Sequence, residues 1–115
     1  MMATTLNPLP SSKRERNRYL VYEALSHEKL TGEAVGKAVW KTALDFLGEL
    51  GVSRSSLRVV EWDEKKQRGI VKVNHTSVEE ARTVLALVKD VDKKPVALHV
   101  LGVSGILKKA RGKWF

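Results

Sequence analysis

A chain of 115 residues, 43% hydrophobic and 30% charged, is the length and composition of one ordinary water-soluble domain. It has no Cys, which excludes disulfides, thiolate metal sites and Cys nucleophiles and suits a reducing compartment. Lys and Arg number 21 against 13 Asp and Glu, a net charge of +8 that points to a polyanionic partner.

Residues 1–17 read as a flexible basic leader, and residues 18–115 as a single domain. Pro8, Pro10 and small polar residues give the first stretch no core-forming pattern. No apolar signal-peptide core opens the chain, and no run approaches the roughly 20 apolar residues of a membrane span. A soluble, cytoplasmic protein with no membrane partner is the expectation. Lys13, Arg14, Arg16 and Arg18 lead into Tyr19–Ala24, whose aromatic and β-branched residues predict a first strand. Thr31 is placed to cap a helix with apolar positions Val35, Val39, Ala43, Phe46, Leu47 and Leu50, and Gly51 is placed to stop it. Trp40 lies off that stripe and suits either a core edge or a protein interface.

Leu57–Trp62 and Gly69–His75 read as a hairpin joined by the charged run Asp63–Arg68, with Trp62 in the core. Ser77 and Glu80 have capping-box spacing ahead of a second helix with Val78, Ala81, Leu85 and Val88 on its buried stripe. Pro95 opens a fourth strand, Val96–Leu101, followed by a turn over Gly102–Gly105. Ser104 can then cap a last helix over 105–113, with Ile106, Leu107, Ala110 and Trp114 on its apolar side. Trp114 and Phe115 could pack beneath that helix or stack on a partner. The order β-α-β-β-α-β plus a helix predicts an α+β, ferredoxin-like sandwich of the kind RNA recognition motifs use, with a four-stranded antiparallel sheet.

The charge is polarised. Residues 1–18 carry +3, residues 104–115 carry +4, and everything between carries +1. Two basic ends around a near-neutral domain suggest a nucleic-acid footprint. Strand three opens with Arg68-Gly69, as RNA recognition motifs do, but its aromatic slots hold Ile70, Lys72 and Asn74. Tyr22 is the candidate stacking ring, with Tyr19 on the opposite face by alternation. One ring cannot read several splayed bases, so the apolar side of the last helix is expected to cover that face. The candidate RNA-binding residues are Lys13, Arg14, Arg16, Arg18, Arg68, Lys72, Lys108, Lys109, Arg111 and Lys113. No catalytic or metal-ligating residue is expected. Gly102–Ile106 lacks the last Gly of a nucleophile elbow, and His27, His75 and His99 lack metal spacing. Glu61, Asp63 and Glu64 suit a solvated turn. Asp90 and Asp92 lack the Gly and terminal Glu of a calcium loop.

Several segments resemble the family of ribonuclease P protein component 2, and its archaeal members in length. They are Arg18-Tyr19-Leu20, Asp63-Glu64-Lys65, Arg68-Gly69-Ile70-Val71, Leu85-Ala86-Leu87-Val88 and, above all, Val96-Ala97-Leu98-His99-Val100-Leu101-Gly102-Val103-Ser104-Gly105 before a basic helix. Gln67 stands where many members have Gly, and Ile106 where Thr is common. The resemblance implies a non-catalytic subunit of ribonuclease P, in which RNA removes the 5′ leader of precursor tRNA using bound Mg2+. It implies ribonuclease P RNA and the TIM-barrel-like component 3 as partners, precursor tRNA as an indirect one, and no cofactor bound by the protein. The alternatives are a ferredoxin-like protein–protein assembly domain with incidental charge, and a small basic enzyme.

Overall fold

The computed structural model describes residues 16–115. Its elements in chain order are β1 (Asn17–Leu25), α1 (Gly32–Ser55), β2 (Arg58–Asp63), β3 (Arg68–Asn74), α2 (Val78–Leu87), β4 (Asp90–Val91), β5 (Lys94–Pro95), β6 (Ala97–Ser104) and α3 (Leu107–Trp114). The main sheet is antiparallel in the order β2-β3-β1-β6. This is the expected ferredoxin-like α+β arrangement, with the central strands β1 and β3 flanked by β2 and β6. No helix among the described residues is long and apolar enough to cross a membrane.

Alternation along β1 sends Leu20, Tyr22 and Ala24 to one face of the sheet and Tyr19 and Val21 to the other. On the first face α1 and α2 close a core that includes Val35, Val39, Val71, Val84 and Leu85. Tyr22 therefore belongs to this core and is not an open stacking ring. Its ring lies over Gly69, its cross-strand partner, where a Cβ would come within 2.5 Å of the phenol. Trp62 stacks obliquely beside it, with centroids 6.3 Å apart, and rests on Gly32 at the start of α1.

Two β-bulges break the simple alternation. In β2 the pairing slips between Val59 and Glu61, so Val60 is the extra residue. In β6 the slip leaves Leu101 unpaired between Val100, opposite Tyr22, and Gly102, opposite Val21. A bulge turns the strand by one residue. As a result Glu61 and Gly102 face away from the main core, while Trp62 and Val103 pack against it.

The Thr31 cap forms: its hydroxyl accepts from the Ala34 N–H at 3.2 Å. Gly51 does not stop α1. The backbone breaks at Gly48 (φ 73°, ψ 171°), and helix resumes to a left-handed C-cap at Ser56. Gly51 instead sits buried inside the second segment, where a Cβ would stand 2.8 Å from that of Leu47. Around the break the predicted apolar stripe is not kept: Phe46, two residues before it, is 49% exposed and Leu50, two residues after it, 84%. The capping box at Ser77 and Glu80 does not form either, since the Ser77 hydroxyl makes no cap bond. Asn74 organises this turn. Its Oδ1 accepts from Thr76 N and Oγ1, and its Nδ2 donates to the Arg54 carbonyl.

Pro95 lies in a two-residue hairpin with β4 that the sequence did not announce, and the main-sheet strand begins only at Ala97. Asp92 and Lys93 both have positive φ (55° and 66°), as the tight two-residue turn requires. The strand then runs through Gly102 to Ser104, where a turn was expected. The last helix accordingly starts at Leu107 rather than Gly105 and ends at Trp114 rather than Lys113. Its N-cap is Ile106, not Ser104; the Ser104 hydroxyl accepts from Ile106 N at 3.1 Å, one residue ahead of the helix.

Candidate nucleic-acid interface

The second face of the sheet is where α3 lies. Leu107, Ala110 and Trp114, with Phe115, pack on Val21, Ile70 and Leu101. Ile106, expected on the apolar side, is instead 51% exposed. Trp114 takes its position from Gly102: a Cβ there would lie 2.1 Å from the indole. The β6 bulge presents Gly102 to this face, so the Leu-Gly-Val-Ser-Gly string is the seat of the last helix.

Polar links finish the attachment. The half-buried Arg68 donates to Glu23 at 3.2 Å and to the Trp114 carbonyl at 2.9 Å. Lys66 donates to the Phe115 carbonyl, and Arg111 pairs with Glu61. Arg111 and Lys113 also stand in the last turn of α3, where cations oppose the negative end of the helix dipole. Lys113 lies 5.0 Å from the Trp114 ring centroid, in cation–π range.

The lysines of α3, with Lys72 and Arg58, share this face, while Arg16 and Arg18 stand at its margin. Lys108, Lys109 and Lys113 point from α3 into solvent. Beside the helix a partly exposed row crosses all four strands: Arg58 opposite Lys72, Lys72 opposite Tyr19, Tyr19 opposite Ser104. Arg18, bonded to the Asn17 carbonyl at 2.9 Å, reaches to Gly105 at the turn into α3. Arg16 is exposed beside His75, its carbonyl accepting from His75 N at 2.7 Å. Lys13 and Arg14 lie outside the described residues. Pairing of Tyr19 with Ser104 thus brings Arg18 beside the turn into α3. Of the carboxylates that β1 and β2 turn to this face, Glu23 and Glu61 are taken up by Arg68 and Arg111, and Asp63 accepts backbone N–H groups of the hairpin turn. Among the described residues no carboxylate pairs with Arg58, Lys72, Lys108, Lys109 or Lys113, so the face keeps a positive excess.

Arg58 and Tyr19 were not singled out from the sequence as members of this face. Their signal is the register, in which each stands opposite Lys72; for Arg58 it is hidden by the bulge at Val60, and for Tyr19 by a pairing between strands far apart in sequence. Asp63 accepts from Lys65 N at 2.9 Å and Lys66 N at 3.1 Å, shaping the hairpin turn. Among the described residues no three of His, Cys, Asp and Glu gather into a metal-binding group.

The fold and this face define a small ferredoxin-like α+β domain whose otherwise open sheet surface is closed by a basic helix. The profile of the Rpp14/Pop5 family matches residues 18–114, and the chain belongs to that family. It is 35% identical to "Ribonuclease P protein component 2" of Thermococcus kodakarensis, over 92% of this chain and 88% of that one. It is 34% identical to the protein of that name from Pyrococcus abyssi (95% and 92% covered) and 36% to that of Methanosarcina mazei (90% and 87%). A chain in the "Cryo-EM structure of yeast Ribonuclease MRP" shares the fold with a TM-score of 0.63 at 11% identity, covering 81% of this chain and 76% of that one.

Proposed function

We propose that this ribonuclease P protein subunit binds the catalytic RNA through its α3-bearing face and supports 5′-leader removal from precursor tRNA without supplying a catalytic group. The observation that carries the reading is the gathering of Arg58, Lys72 and the α3 lysines on one face, where Glu23 and Glu61 are already paired. Phosphates bound by Lys108, Lys109, Lys113, Lys72 and Arg58 position RNA without reading its sequence. Arg68 and Arg111 act mainly as fasteners of α3. Mg2+ belongs to the RNA active site, where it activates water; this chain contributes cations that lower repulsion between catalytic RNA and substrate. Component 3 is the second protein, docking on the opposite side, where α1 exposes Trp40 (43%) and Leu50. The site of action is the cytoplasm.

The test is precursor-tRNA cleavage by the reconstituted enzyme, together with RNA affinity as a function of salt. Each lost phosphate contact should flatten the slope of log K against log salt by about 0.7–0.9. Replacing Lys108, Lys109 and Lys113 by Gln should therefore flatten it by about two units and raise the Mg2+ required for cleavage. Asp63→Asn and His75→Gln should leave maximal cleavage within a few-fold, against the typically 10²–10⁴-fold loss on removing a general acid or base. An unchanged salt slope would overturn the assigned face; abolished cleavage with intact RNA binding in either single variant would overturn the non-catalytic role.

A further inference from the structure

We propose that Tyr19 is a stacking platform for one unpaired RNA base, with Lys72 and Arg58 holding the phosphates beside it. The proposal rests on the basic-face reading above and goes beyond it by naming the RNA element this face selects. Tyr19 is half-buried, packed on the small cluster beneath α3, and stands in the row next to the one that Ala110 and Trp114 cover. Directly across from it is Lys72, and beyond that Arg58 at the sheet edge. An aromatic ring followed by two cations along one line matches a nucleotide: base on the ring, backbone along the charges.

The capacity of the site is also set by the fold. The next row, Val21 with Ile70 and Gly102, lies beneath Ala110 and Trp114. Tyr22, the other tyrosine of β1, is sealed in the main core against Gly69. Among the described residues no second ring stands in this row, which continues through Lys72, Arg58 and Ser104, so a single-stranded tract gains little along it. A duplex gains nothing at Tyr19, because its base faces are stacked inside. A nucleotide bulged from a helix offers one free face while the flanking duplex offers phosphates, and it satisfies both features.

The experiment compares the full chain's affinity for a short RNA hairpin duplex and for the same hairpin with one bulged 2-aminopurine. Stacking of one base on an aromatic ring amounts to roughly tenfold in affinity. The bulged hairpin should bind about tenfold tighter, with 2-aminopurine fluorescence quenched on binding. Tyr19→Phe should keep both effects. Tyr19→Leu, which preserves packing volume and whose folding is checked by its melting curve, should lose both while keeping the salt dependence. Equal affinity for the two hairpins, or a preference that survives in Tyr19→Leu, overturns the stacking site and leaves the basic-face reading standing. Absence of salt-dependent binding to either hairpin overturns both.

Discussion

The two faces of the sheet are built on different scales. Among the described residues the face under α1 and α2 holds eighteen buried residues in one cluster, whereas the face under α3 holds three, Val21, Ile70 and Ala110. The first is a core in the usual sense, apolar and continuous. The second is a small contact made specific by one indole on one glycine and by the ties from Arg68, Lys66 and Arg111. The difference teaches that stability and the charged surface are assigned to opposite sides of one sheet. The large side can hold the fold while the small side positions α3 and its lysines.

Substitutions on the two faces should separate accordingly. Leu85→Ala, deep in the large cluster, should cost about 2–5 kcal/mol and lower the melting temperature of the whole domain. Gly102→Val places a side chain where the Trp114 ring lies. It should cost about 1–3 kcal/mol, as overpacking does, and leave α3 open to protease while the sheet stays protected. If Gly102→Val instead unfolds sheet and helix together with the loss seen for Leu85→Ala, the faces form one cooperative unit and the contrast is broken.

The smallest effect at neutral pH is expected at Tyr22. Burial pushes its phenol well above its ordinary pKa, and neither the Tyr22 hydroxyl nor the neighbouring Trp62 Nε1 has a hydrogen-bond partner among the described residues. In the unfolded chain the phenol ionises near its usual value of about 10. Above that pH the unfolded state sheds a proton that the folded state keeps, so the domain loses stability as pH rises. Denaturant titrations at neutral and alkaline pH should show Tyr22→Phe within about 1 kcal/mol of the parent at neutrality, with a shallower alkaline loss. An alkaline loss of unchanged size would place its origin elsewhere.

Element order, the buried positions of the first three turns of α1 and the covering of the second face by the last helix were all legible in the sequence. They rest on periodicity and on the mismatch between an apolar helix side and a sheet without aromatics. The assignment of Tyr19 and Tyr22 was inverted, because a β-strand's alternation says which residues share a face and not which face meets the core. Glu61 and Gly102 were equally hidden, since each owes its direction to a bulge at Val60 or Leu101. The expected stop at Gly51 lies three residues past the break at Gly48, two glycines between which periodicity does not choose. Gln67 shows the opposite case. It adopts the left-handed conformation at φ 54°, which explains a frequent Gly there, and holds it by bonds of its own amide to Leu30 N and O and to Glu64 O. Arg68 was read as a nucleic-acid ligand because a basic residue at a strand start carries no mark of its partners. In the fold Glu23 and the Trp114 carbonyl occupy it.

The pairing of β1 with β6 also sets the timing of assembly. Ala97 pairs with Leu25, so about 70 residues must be synthesised after β1 before its second edge can be covered. At ribosomal speeds of about 5–20 residues per second that interval is roughly 4–14 s. Until β3 is made both ladders of the strand carrying Leu20, Val21 and Tyr22 are unmet, and from then until β6 one still is, the condition under which nascent chains pair with the wrong neighbour. Closing that edge and seating Trp114 on Gly102 both await the last 20 or so residues, so the nascent polypeptide acquires its native sheet and its basic surface in a single late event.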